Sequence, residues 1–147
     1  MELLTRDFGK IEVDENSLIS FVEPLYGFEG YKRFALLSDD EMGNASDIFL
    51  WMQSAEKKDV CFVIVDPSAL GYKYFPTIDQ NVINILESNG DDLVVRCIAC
   101  IKGNIDDATV NMKSPIIMNK MNNRAIQVIV EDNYEVHAPL VPVKENI

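Results

Sequence analysis

One histidine, one tryptophan and three cysteines are all that 147 residues supply of those types, and each scarcity removes a class of function. With His137 as the sole imidazole, a Ser/His/Asp or Cys/His nucleophile would have to be built on that residue, and no nucleophile elbow or cysteine-hydrolase signature accompanies it. Gly-rich phosphate loops of the Walker or dinucleotide type are missing as well. Cys61, Cys97 and Cys100 are odd in number and sit within apolar runs, where reduced cysteine serves as a small hydrophobe, so no disulfide framework is implied. Cys97 and Cys100 have the spacing of a redox or metal pair, yet residues three apart on a strand point to opposite faces and could not grip one ion. No metal or cofactor is expected.

Long apolar runs are lacking too: none approaches the ~20 residues that span a bilayer. The opening MELLTRDFGK carries no basic leader with an apolar core, so the expected location is the cytoplasm, away from membranes. No repeat and no Pro/Gly/Ser-rich linker interrupts the chain, and residues 1–147 are expected to form a single domain, monomeric when free.

Basic residues are the last shortage, 13 against 24 acids, for a net charge of -11. Direct binding of RNA or DNA needs a basic stripe to neutralise phosphates, and none is present. The imbalance is uneven. Five bases and six acids lie from Lys102 onward, which leaves residues 1–101 with the other eight bases and 18 acids. Between Phe34 and Glu56 there is no Lys or Arg, while Asp39, Asp40, Glu41 and Asp47 fall there. That stretch is either a solvated acidic loop or an electrostatic guide for a basic partner.

What remains is β-rich. LISF (Leu18 to Phe21), RFALLS, IFLWMQS, VCFVIVDP (Val60 to Pro67), LVVRCIACIK (Leu93 to Lys102) and RAIQVIVED (Arg124 to Asp132) read as strands, several of them apolar on both faces. EPLYGFEGY carries Pro24, Gly27 and Gly30 and reads as a compact ordered loop. One helix is predicted from about Thr77 to Ser88, with Thr77 as N-cap, Gln80 at the capping-box position, an apolar stripe of Ile78, Val82, Ile85 and Leu86, and Gly90 beyond its end. The sum is a mainly β protein: a small antiparallel β-barrel with one short packed helix at about residues 77–88. A barrel has only one inside, so the outward apolar faces must meet the helix or a partner.

Catalytic candidates are few. A small hydrolase using Asp66 or His137 in a barrel mouth is the enzymatic alternative, favoured if the two side chains lie within hydrogen-bond reach. The adjacent acids Asp39 and Asp40, Asp91 and Asp92, and Asp106 and Asp107 read as solvated turn residues. Binding is therefore the expected mode of action.

Taken in order, FVEPLYGFE (Phe21 to Glu29), WMQS (Trp51 to Ser54), VIVDP (Val63 to Pro67), NMKSPIIMN (Asn111 to Asn119) and AIQVIVEDNY (Ala125 to Tyr134) resemble the flagellar assembly factor FliW family along nearly the whole chain. The C-terminal block of Asn111, Pro115, Asn119, Gln127 and Tyr134 is the most specific part. Tyr26 stands where that family has a proline, and the Asn111-Met112 pair where it has Asn-Leu. The resemblance implies a bacterial β-barrel without enzymatic activity that binds newly made flagellin as a cytoplasmic chaperone. It also implies binding of the carbon storage regulator CsrA, a small basic RNA-binding dimer, which relieves repression of flagellin translation. A chaperone of flagellin that lacks the CsrA role is the alternative within the same family. Contact residues are expected in the loop of Leu25, Gly27, Phe28 and Glu29, in the acidic stretch of Asp39, Asp40, Glu41 and Asp47, at His137, and at an edge running from Asn111 to Asn119. Those two asparagines either tie loops to backbone or reach a partner.

Overall fold

In a computed structural model, residues 1–38 and 48–141 are described. The two-faced apolar strands find an inside and a cover. β1 (Glu2–Leu4) and β2 (Lys10–Glu12) make a separate antiparallel hairpin, Leu3 opposite Ile11. β3 (Ile19–Phe21), β4 (Arg33–Leu37), β5 (Phe49–Ser54) and β6 (Cys61–Val65) then follow as a meander. After the helix α1 (Gln80–Ile85) come β7 (Leu93–Cys100), β8 (Thr109–Val110), β9 (Ile116–Asn119), β10 (Arg124–Gln127) and β11 (Ala138–Pro139).

The pairings β7 with β9 and β10 with β3 close a seven-stranded ring in the order β3, β4, β5, β6, β7, β9, β10. Direction cannot alternate all the way round an odd ring, so at least one pair must be parallel, and here it is β3 with β10. Every other ring pair is antiparallel, as the barrel expectation requires. β8 and β11 extend the sheet from the far half of β7.

Alternation along each strand sorts its side chains. Phe34, Met52, Ile64 and Ile116, all fully buried, fill the lumen with Ile19, Phe21 and Met118. Phe21 meets Phe34 edge-on at 5.3 Å between centroids, and Phe28 meets Phe62 at 4.9 Å. Side chains thus fill the lumen around Phe34, while a cleft of about 210 Å³ lined by Ile19, Leu36, Leu50, Val94 and Met118 remains toward one mouth. Outward neighbours go to three covers. Ala35 packs with Leu3 and Leu18 beside the N-terminal hairpin. Ile117 and Ile126 pack with Leu86 and Val82 of the helical segment. Val65, Cys97 and Ala99 pack with Tyr74, Val110 and Leu140.

The helix is shorter than its sequence signals suggest. Asp79, not Thr77, is the N-cap, its carboxylate accepting from the Asn81 amide, because Thr77 donates both its N–H and its hydroxyl to the Asp132 carboxylate at 3.0 Å. At the other end, side-chain amides of Asn119 and Asn122 take the Leu86 carbonyl at 2.8 and 3.0 Å. Glu87 then turns to φ 53°, and the helix stops three residues before Ser88. Ile85 leaves the predicted stripe and is exposed, while Leu86 is fully buried.

Cys97 and Cys100 face opposite ways, the first buried and the second exposed, which corrects the expectation of buried packing for all three thiols. Burial pushes the Cys97 thiol up to about 11, and burial likewise raises Cys61. A thiol reagent at pH 8 should therefore modify Cys100 first, with Cys97 at least about tenfold slower until the chain is unfolded. Mass-spectrometric timing of the labels checks this, and equal rates would contradict the placement of β7.

Candidate functional site

The loop between β3 and β4 is built from the inside out. Leu25 is 1% exposed and Phe28 half-buried, both packed on the lumen residues, and they bridge each other through the Phe28 amide to the Leu25 carbonyl at 2.9 Å. Gly27 sits between them at φ 83°, a left-handed position that a side chain would strain. The Tyr31 amide reaches the Phe28 carbonyl at 3.2 Å and continues the tight turn. Tyr26, Gly27, Glu29 and Gly30 are left facing outward. The Tyr26 amide donates to Gln127 Oε1 at 3.2 Å, a bond that a proline at this position could not make. Of the four loop residues expected at a contact, Leu25 and Phe28 are anchors and Gly27 and Glu29 are on the surface. Tyr26, on the same rim, is 58% exposed.

The stretch from Asn111 to Asn119 is not an edge. β9 is hydrogen-bonded on both sides, to β7 and to β10. Pro115 lies one residue before the strand, buried, and its carbonyl accepts from the Val128 amide. Asn111 Oδ1 accepts from the amides of Lys113 and Ser114 at 3.2 and 3.1 Å. Asn119 is 1% exposed, and its Oδ1 accepts from the Met121 amide at 2.9 Å while its amide group holds the helix end. Both asparagines tie loops to backbone.

Asp66 Oδ1 caps the short turn Pro67–Leu70 through the Ser68 amide, and its Oδ2 lies 3.8 Å from Arg96. A cleft of about 440 Å³ beside Asp66 is lined also by Tyr74, Phe75 and Arg96, but not by His137. His137 is exposed just before β11, and among the described residues it makes no ion pair with Asp66 within 4.0 Å. The structure does not assemble the two into a hydrolytic pair. Asp39, Asp40, Glu41 and Asp47 lie outside the described residues. Among the described residues no group of three or more His, Cys, Asp or Glu side chains could hold a metal ion. No helix is long and apolar enough to cross a membrane, again among the described residues.

A second polar constellation joins the helical segment to the C-terminal turns. The Tyr74 hydroxyl donates to the Met112 carbonyl at 2.8 Å, and burial raises its pKa far above the ordinary phenol range. Tyr134 stacks edge-on against Tyr74 at 4.6 Å and accepts the Phe75 amide. Hydrogen bonds from Thr77 hold the Asp132 carboxyl below the usual carboxylate range. These bonds fix the loops on either side of the helix.

Fold and geometry together define a closed β-barrel scaffold with loops pinned by side-chain amides. The FliW protein family profile matches residues 2–140. The flagellar assembly factor FliW of Caldanaerobacter subterraneus subsp. tengcongensis is 34% identical over 148 residues, covering 99% of this chain and 97% of that protein. Its counterpart in Leptospira interrogans serovar Lai is 35% identical over 122 residues, 82% of this chain and 79% of that one. A crystal structure of the flagellar assembly factor FliW superposes with a TM-score of 0.86 at 27% identity, covering 98% of this chain and 99% of that one. The chain belongs to the FliW family of flagellar assembly factors.

Proposed function

We propose that this protein acts in the cytoplasm by binding and not by catalysis, holding flagellin as a chaperone in one state and CsrA in another. Capture of CsrA would relieve repression of flagellin translation. The observation that carries the reading is the family match over nearly the entire chain, joined to a net charge of -11. An acidic protein meeting a basic RNA-binding dimer is steered by charge and needs no RNA contact of its own. Contacts are assigned to Tyr26, Gly27 and Glu29 on the loop rim, to the acidic stretch of Asp39, Asp40, Glu41 and Asp47, and to His137.

Calorimetric titration against purified CsrA and flagellin from the same organism, singly and then together, tests the reading. Both should bind, and flagellin should suppress CsrA binding. Failure of both to bind would remove the proposal. Reversing Asp39, Asp40 and Glu41 to Lys should weaken CsrA binding by at least about tenfold at low salt and by less at high salt, since exposed charges are screened over ~10 Å at 0.1 M. Unchanged affinity at low salt would take the acidic stretch out of the interface.

A further inference from the structure

Where the parallel seam of the barrel ends, the chain past β10 has no partner on one side among the described residues. Along that seam the Ser20 amide bonds the Asn123 carbonyl and the Val22 amide bonds the Ala125 carbonyl. The next rung would bring the amide of residue 24 to the Gln127 carbonyl, but residue 24 is Pro24, which has no N–H, and the chain turns away into the loop. On its other side the β10 strand keeps its partner past Gln127, with the Val128 amide on the Pro115 carbonyl and the Val130 amide on the Lys113 carbonyl. Past the end of β10 at Gln127, residues 128–130 are thus bonded from one side only among the described residues, and the chain bends at Glu131. Among the described residues no hydrogen bond meets the Ile129 N–H, the Ile129 carbonyl or the Glu131 N–H.

Proteins commonly blunt such edges with lysine, proline or a covering loop. Here the outward residues are Ile129, 61% exposed, and Glu131. Beside them runs a groove of about 500 Å³ whose far wall is Thr77, Asp79 and Val82 and whose floor includes Val128 and Val130. Its charged lining residues, Asp79, Glu131 and Asp132, are all acids. The nearby cation Lys113 spends its ammonium on the Asp132 carbonyl at 2.7 Å.

We propose that the open edge at Gln127 to Glu131 is a docking site for an extended, basic segment of a partner protein, which adds as a strand. Backbone N–H and carbonyl groups of the incoming segment pair with Ile129 and Glu131, its apolar side chains enter the groove, and its Lys or Arg side chains face the acids. This rests on the reading that the chain works by holding proteins, and it assigns the edge to the basic partner.

Amide hydrogen exchange at Ile129 and Glu131 is the direct readout. A ten-residue peptide alternating Val and Lys should slow both amides at least tenfold in the full chain, whereas one alternating Val and Glu should not. Ile129→Pro removes an N–H that bonds nothing within the described residues, so the melting temperature should hold while CsrA affinity falls at least tenfold. Glu131→Lys should weaken CsrA more at low salt than at high. The proposal is overturned if the Val/Lys peptide leaves the amides unprotected, or if Ile129→Pro binds CsrA as the parent does. It is equally overturned if both amides are already slow in the free protein, since the edge would then be filled by the chain itself or by a second copy. If Ile129→Pro fails to fold, exchange in the parent chain decides alone. If neither CsrA nor flagellin binds the parent, the functional proposal falls, and the peptide result still judges the edge.

Discussion

Phe34→Ala should destabilise the protein by about 3–5 kcal/mol, the range for removing a large aromatic ring from a packed core. Phe34 has no exposed surface, lies 5.3 Å from the Phe21 ring and 6.2 Å from the Phe62 ring, and pairs across β4 and β5 with Ser54. The lumen is enclosed by strands bonded to each other around the ring, so it cannot collapse to fill the hole, and most of the lost contact stays lost. Urea unfolding with an unchanged slope is the measurement. Phe75→Ala is the control: that ring is 80% exposed, and its loss should shift stability by less than about 0.5 kcal/mol. A Phe34→Ala cost near that of the control would mean that the barrel is not filled as described.

Gln53→Leu should cost about 2–4 kcal/mol although it conserves volume, because it strips partners from partly buried backbone groups, at up to about 1–3 kcal/mol each. Gln53 is fully buried on the outer face of β5, opposite Ala35. Its Oε1 accepts the Arg6 amide at 2.9 Å, and its Nε2 donates to the Lys58 carbonyl at 2.9 Å and lies near those of Ser54 and Val60. One side chain thus ties the N-terminal hairpin and the turn between β5 and β6 to the barrel. Calorimetric melting gives the total. Amide exchange should show residues 1–12 opening first, with the lumen strands following only at global unfolding. A neutral substitution would show that solvent reaches these groups.

Gln53 also marks where sequence reading stops. WMQS carries an apolar, strand-forming pattern, and the strand is where that pattern puts it. A buried glutamine has no periodic signature, since its partners Arg6 and Lys58 come from segments with no local relation to it. The same holds for Thr77, which has the chemistry of an N-cap but is taken by Asp132, 55 positions away. Local rules rank a residue's nearby options, and a distant carboxylate changes the ranking. At the loop between β3 and β4 the turn was legible from Gly27 and Gly30, while the inward packing of Leu25 and Phe28 on either side of Gly27 was not. The exposure of Ile129 was not legible, because within RAIQVIVED it reads as one more strand apolar residue, and only the course of a segment a hundred residues earlier leaves it without a cover among the described residues.

The amino-acid sequence by itself determined the class: strands apolar on both faces, one short helix, a net charge of -11 and a chain whose ordered motifs match one family. These follow from alternation, turn chemistry and composition, all local properties. Tertiary structure alone decided that the ring closes through β7 with β9 and β3 with β10, that the seam is parallel, that Asn119 is a buried tie, and that the backbone at Ile129 meets no hydrogen bond among the described residues. Those depend on which hydrogen-bonding groups meet across long stretches of chain, and a backbone donor or acceptor looks the same in the sequence whether or not it is met.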